Sequence, residues 1–167
     1  MDRERVLQDQ SVLVEGDTIR AIGPHVDAPT GTRVIDGHGT DFLSPGLADM
    51  HVHSTTSRDM VLFLANGVTI ALNMGGATQA FVDQVVPRLN RGTLPGPHAQ
   101  HFGTTAVGSR ADMILSEVDP LTNLSTLQHP LGVMAAGHWH DASDLARLLD
   151  GVAAKYRDAR WPPETAH

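Results

Sequence analysis

The sequence predicts an α/β chain that also carries a β-sandwich. Short runs of β-branched and aliphatic residues, each ended by Gly, Pro or Asp, occur towards both ends of the chain. Closely spaced strands of this kind are typical of a sandwich or small barrel. Between them the pattern alternates strand, helix, strand and helix, which is the unit of a parallel α/β sheet or barrel. A content of 16 Gly and 10 Pro favours many short elements over a helical bundle.

The first strands are expected in residues 11–45. Residues 11–23 contain two β-branched runs on either side of Gly16-Asp17, a pattern that favours a β-hairpin. Further short strands are predicted at residues 33–36 and 42–43, because turn residues bound both runs.

The central segment, residues 46–101, is predicted to contain two strand–helix units. The first unit has a strand at residues 46–53 and a helix that Ser57 caps and Gly67 ends.

The second unit begins with a nearly all-apolar strand at residues 68–74, which indicates burial on both faces. A helix over residues 79–90 follows, and Pro87 interrupts its last turn.

Strand patterns return after residue 101, and a helix closes the chain. The strand candidates are residues 104–107, 111–117 and 131–136. We expect residues 1–45 and 102–140 to form one composite sandwich, since neither part has enough strands to bury a face alone. Asp141 is the predicted cap of an amphipathic helix over residues 141–160.

Composition excludes several classes of function. The formal net charge is -7 and the 12 Lys and Arg are scattered, so a nucleic-acid partner is not expected. The absence of cysteine excludes disulfides, thiolate metal sites and a cysteine nucleophile. No apolar stretch is long enough to span a membrane, and the charged first residues predict a cytoplasmic protein. Ten histidines are the unusual feature, because histidine is a common metal ligand.

Two His-x-His pairs occur, and their context separates them. Because alternate strand residues share a face, His51 and His53 are expected on one face together with Asp49. Two ring nitrogens and a carboxylate in this arrangement could bind one metal ion. Chance alone yields about 0.6 such pairs in this composition, so spacing by itself is a weak signal. His138 and His140 follow Gly137 and precede a helix cap, which favours an exposed strand end.

Several stretches resemble the metal-dependent amidohydrolase superfamily. They are residues 34–39 (VIDGHG), 45–53 (PGLADMHVH), 64–69 (LANGVT), 73–76 (NMGG) and 103–120, which contains AVGSRAD. The resemblance implies a (β/α)₈ barrel with a β-sandwich built from both chain ends. It also implies hydrolysis of C–N bonds in small molecules by metal-bound hydroxide. Residues 64–76 look most like the imidazolonepropionase-like and dipeptide-hydrolysing members.

The departure from the family concerns the barrel. A full barrel takes about 250 residues, or roughly 31 per unit, so residues 46–101 hold only a partial, TIM-like segment of about two units. The family's bridging lysine has no counterpart, because the single lysine, Lys155, lies on the last helix. By this resemblance His51 and His53 are the metal ligands, zinc is the expected ion, and Asp49, His98 and His101 are possible additional ligands.

Three functions remain open at this point. The chain is an amidohydrolase that needs a completed barrel, a catalytically dead β-sandwich scaffold, or a small metal-binding module that forms a homo-oligomer. Two exposed parallel strands favour association, and a dimer is expected. Hydrolysis by the isolated chain is not expected, because catalytic zinc needs three protein ligands.

Overall fold

The computed structural model describes residues 6–54, 56–97 and 105–158, with backbone alone for residues 155–158. The strands are β1 (Ser11–Glu15), β2 (Thr18–Gly23), β3 (Phe42–Pro45), β4 (Leu47–Val52), β5 (Val68–Asn73), β6 (Met113–Ser116), β7 (Gly132–Ala135) and β8 (His138–Asp141). The helices are α1 (Ser57–Ala65), α2 (Gln79–Gln84), α3 (Val86–Asn90) and α4 (Ala142–Asp158), with a 3-10 turn at Leu124–Gln128. None of the helices in these ranges is long and apolar enough to cross a membrane.

The predicted N-terminal hairpin is present as β1 and β2. The strands pair antiparallel with a register shift after Leu13, and Gly16 takes the positive φ of 60° that the tight turn requires. The backbone N–H of Ile19 donates to the carbonyl of Ser109 over 2.9 Å, so the hairpin is attached to the chain just before β6.

Strands from both parts of the chain share a four-stranded antiparallel sheet. Its order is β3-β6-β7-β8, and Phe42 of β3 lies opposite Ser116 of β6. One apolar cluster joins this sheet to the hairpin, with Ile19 and Met113 fully or almost fully buried in it. The pairing of residues 42–45 with residues 113–116 agrees with the expected composite unit. A complete two-sheet sandwich with boundaries at residues 45 and 102 remains a prediction.

The central segment forms a separate parallel pair, β4 and β5. Gly46 allows the two strands to come close, because a Cβ at this position would overlap the side chain of Thr69. Helix α1 packs on β5 and on α4, and the latter contact buries Leu64 against Leu145. The strand–helix–strand–helix order is therefore present, while its membership of a TIM-like barrel remains a prediction.

Three local expectations were wrong. Residues 33–36 form no strand, because no strand in the described ranges pairs with them and Val34 is 80% exposed. The cap of α1 is Thr56 rather than Ser57. The helix expected over residues 79–90 is divided into α2 and α3, since Pro87 lacks the N–H that a continuous helix needs.

The strand expected at residues 104–107 is also absent from the described part of this segment. Residues 105–107 are irregular, and residue 104 lies outside the described residues. The other C-terminal expectations correspond to β6, β7 and α4, which are confirmed within a few residues at their ends.

Candidate metal centre

The end of β4 brings two imidazole rings together. His51 is in the strand and His53 follows it directly, so both side chains project from the same side. Their Nε2 atoms are 3.1 Å apart, with ring centroids separated by 5.1 Å. Both side chains are exposed. The predicted pair therefore converges on one point at the carboxyl end of a parallel strand.

The separation of the two nitrogens fits a shared metal ion. Zinc binds imidazole nitrogen at about 2.0–2.1 Å, so two tetrahedral nitrogen ligands lie about 3.3 Å apart. The observed 3.1 Å between the Nε2 atoms of His51 and His53 is close to this value. As the rings stand, the same distance suits a hydrogen bond in which one ring donates and the other accepts. A cation would take the place of that shared proton.

The other candidate ligands do not complete the site. Oδ1 of Asp49 accepts a hydrogen bond of 3.1 Å from the backbone N–H of His51, so this oxygen is engaged by its own strand. No group of three or more His, Cys, Asp and Glu that could hold a metal occurs among the residues that the structure describes. His98 and His101 lie outside those residues. The described chain thus offers two converging ligands of the three that a catalytic zinc requires.

Hydrogen bonds brace the loop that carries His53. The side-chain amide of Asn73, at the end of β5, donates to the carbonyl of Ser54 over 2.5 Å. Oδ1 of Asn73 accepts a hydrogen bond of 3.1 Å from the backbone N–H of Gly75. The hydroxyl of Ser54, which is 4% exposed, donates to Asp59 over 2.9 Å. The end of β4 is therefore tied both to β5 and to the first turn of α1.

Gly75 lies against the imidazole of His53. A Cβ on this glycine would be 3.4 Å from Nδ1 of the ring, at the short end of the range of ordinary van der Waals contacts. The sequence analysis did not identify Ser54, Asn73 or Gly75 as site residues. The available signal was a polar Asn at the end of an apolar strand, directly before a Gly-Gly pair.

The second histidine pair lies on β8, in the four-stranded sheet. His140 is partly buried, and this burial lowers its pKa, an effect that nearby Asp144 partly offsets. At the start of α4, hydrogen bonds from Ser143 and Asp144 lower the pKa of Asp141, whose Oδ1 caps the helix. The pair is thus an element of the sheet edge, as the sequence context indicated.

Sequence comparison finds relatives among named enzymes. An imidazolonepropionase of Paenarthrobacter aurescens (strain TC1) is 28% identical over 181 residues, a match that covers 95% of this chain. A dihydroorotase of Bacillus pumilus (strain SAFR-032) is 52% identical over 50 residues, which is 30% of this chain. Both relatives support a similarity of the chain to the metal-dependent amidohydrolase superfamily. This similarity confirms the resemblance seen in the sequence.

The chain spans only part of its relatives in the superfamily. The matches cover 40% of the imidazolonepropionase and 11% of the dihydroorotase. No protein-family model matches the chain. Among solved structures, that of an amidohydrolase is 24% identical with a TM-score of 0.48, and the match covers 59% of this chain and 27% of that one.

Proposed function

We propose that this chain provides the metal-anchoring part of a hydrolase for C–N bonds in small molecules, with His51 and His53 as ligands of one zinc ion. The observation that supports this proposal is the 3.1 Å separation of their Nε2 atoms at the end of a parallel strand. Cyclic amides and dipeptides are the substrate classes that the resemblance suggests. Zinc is preferred because nitrogen ligands in a tetrahedral arrangement suit it.

Each residue of the site has a distinct task in this proposal. A bound zinc ion supplies a water of lowered pKa and a positive charge at the reacting centre. His51 and His53 hold the ion, and both need an unprotonated Nε2 to do so. Asn73 and Ser54 keep the loop after β4 in place, so that the two nitrogens stay aimed at one point.

The two-ligand set favours binding without turnover by this chain alone. A zinc-dependent hydrolase needs three protein ligands and an open water position, and a separate base contributes a further large factor. The described residues supply two converging nitrogens. We therefore infer that the purified chain binds zinc weakly and does not hydrolyse amides, as expected of a metal-binding module or an inactive scaffold.

The exposed surface of β4 and β5 supports a homo-oligomer as the form that this module takes. Four apolar side chains here are between 37% and 55% exposed: Leu47 and Met50 of β4, Leu72 of β5, and Met74 directly after β5. Each strand pairs with one partner within the described ranges, which leaves backbone groups free at both edges. Association of two copies would cover both the apolar side chains and the edges.

Zinc titration followed by calorimetry tests the proposed ligands. We expect the unmodified chain to bind one zinc ion, and His51→Ala and His53→Ala each to weaken binding at least tenfold. His129→Ala is the matched control, because His129 is exposed and distant in sequence. Equal binding by all three variants and the unmodified chain would show that the pair is not the metal site.

A hydrolysis assay tests whether the chain is incomplete. The zinc-loaded protein is incubated with a panel of dipeptides and cyclic imides, and release of the amine or acid is followed. We expect no turnover above that of free zinc. Turnover that requires the metal and disappears in His51→Ala would contradict the proposal and imply a complete site.

A further inference from the structure

The second His-x-His pair lies beside a small cavity. His138 and His140 are two residues apart on β8, and both line a cavity of about 80 Å³. Arg110 lines the same cavity, together with apolar side chains that include Leu89 and Leu94. Three nitrogen-bearing side chains therefore line one cavity outside the candidate metal centre.

The guanidinium of Arg110 has unused donors. Its side chain is 10% exposed, its Nε donates to Oδ2 of Asp112 over 2.5 Å, and Nη2 forms an ion pair with the same oxygen. The other carboxylate oxygen accepts from the backbone N–H of Ala136 over 2.9 Å. Nη1 is buried and has no hydrogen-bond acceptor in the described part of the chain. Buried charged donors without an acceptor are unfavourable, so an acceptor is expected in the cavity.

The charge at this pair differs from that at the first pair. His51 and His53 are adjacent to the carboxylate of Asp49 and suit a cation. His138 and His140 share their cavity with the guanidinium of Arg110, which has donors only and therefore can bind an anion by hydrogen bonds but cannot ligate a metal ion. Burial lowers the pKa of His140 and so favours the neutral ring, which retains one N–H donor.

We propose that Arg110, His138 and His140 form a binding site for a small monovalent carboxylate of the size of formate or acetate. The cavity of about 80 Å³ has room for two to three groups the size of water, which occupies about 30 Å³. The carboxylate accepts from Nη1 of Arg110 and from a ring N–H of each of His138 and His140. The leucine side chains face the apolar end of the ligand.

The charge balance selects one negative charge. Asp112 already neutralises Arg110, so a divalent anion such as phosphate would bring two charges into a site without a further cation. A single carboxylate needs less compensation, and its planar oxygens match a guanidinium. The site is distinct from the metal centre, so neither proposal depends on the other.

An acetate titration followed by NMR of the histidine rings tests the site. Sodium acetate replaces sodium chloride at constant ionic strength and pH 7. We expect the ring signals of His138 and His140 to move along one saturating curve, while those of exposed His25 stay unchanged. His138→Phe keeps a ring on the exposed residue but removes its N–H. Affinity in this variant falls about tenfold, as expected for the loss of one hydrogen bond to a charged group.

A matched control and a second variant complete the experiment. His25→Phe makes the same change at an exposed position away from the cavity and should leave acetate affinity unchanged. Arg110→Lys retains a cation for Asp112 but removes the Nη donors, and it should also weaken binding. Shifts that never saturate, equal affinity in His138→Phe, or tighter binding of inorganic phosphate than of acetate would each overturn the proposal.

Discussion

At the scale of single residues, the candidate metal centre depends on hydrogen bonds that neighbouring side chains make. Asn73 joins the carbonyl of Ser54 to the backbone N–H of Gly75, and Gly75 lies against the ring of His53. These contacts determine where the ring can point. A ligand whose surroundings hold its orientation binds metal more tightly, because less conformational freedom is lost on binding.

We expect Asn73→Ala to weaken zinc binding about tenfold while the chain stays folded, because partners that orient a metal ligand contribute at least this much. The control is Asn66→Ala, whose amide donates to the carbonyl of Leu62 at the end of α1 and does not contact the site. Zinc affinity measured by calorimetry and folding measured by circular dichroism check the result. An unchanged affinity in a folded Asn73→Ala variant would refute a bracing role.

His140 makes stability depend on pH. Burial lowers its pKa from the ordinary value of 6.5, so the folded chain binds fewer protons here than the unfolded chain. The stabilising contribution is therefore complete above pH 6.5 and is lost as pH falls through the lowered folded value. We expect the free energy of unfolding to decrease from pH 7 to pH 5, and His140→Gln to reduce this dependence. Urea unfolding at several pH values measures it, with His129→Gln as the control.

At the scale of elements, the start of α1 shows how a cap supports the site. The hydroxyl of Thr56 accepts from the backbone N–H of Asp59, and the carboxylate of Asp59 accepts from the backbone N–H of Thr56. The same carboxylate accepts from the buried hydroxyl of Ser54. The capping box therefore connects the first turn of the helix to the loop that follows β4.

Substitution at the cap distinguishes the sequence prediction from the structure. We expect Thr56→Ala to lower the free energy of unfolding by about 1 kcal/mol, the usual cost of losing a cap. Ser57→Ala should have little effect, because Ser57 is an exposed residue of the first turn. Urea unfolding of both variants gives the comparison. A larger loss for Ser57→Ala would restore the cap predicted from the sequence.

At the scale of the whole molecule, buried apolar side chains of the described residues form three clusters. The first cluster joins the hairpin to the four-stranded sheet. The second joins α1, β7 and α4, and the third joins α1 to α2 and α3. The last two both take side chains from α1, since Leu64 and Met60 are on the same helix. The exposed side chains of β4 and β5 belong to none of these clusters and are therefore available for association.

We expect the purified chain to form a dimer through the surface of β4 and β5, measured by sedimentation equilibrium. Met50→Glu, which places a charge on a side chain that is 47% exposed, should shift the population towards monomer. Val34→Glu makes the same change at an 80% exposed side chain outside this surface and should not. A monomer at all concentrations, or equal effects of the two variants, would contradict the proposed interface.

Local patterns predicted most of the elements. The β-branched runs around Gly16 predicted the hairpin, because a turn residue that tolerates positive φ stands between them. Asp141 predicted the start of α4, and the alternation of side chains predicted that His51 and His53 share a face. These features depend on residues that are near each other in the sequence. The similarity to the superfamily also followed from short motifs.

Only the tertiary structure decided features that depend on distant partners. Residues 33–36 have a strand-like pattern, but no strand in the described ranges lies beside them. Their backbone groups therefore take no part in a β-ladder. The bond from Asn73 to Ser54 spans 19 residues, and no local pattern indicates it. The two His-x-His pairs are alike in sequence, yet one lies near the carboxylate of Asp49 and the other near Arg110. Coulomb interactions act through space, so the fold decides which charged groups each of two identical motifs meets.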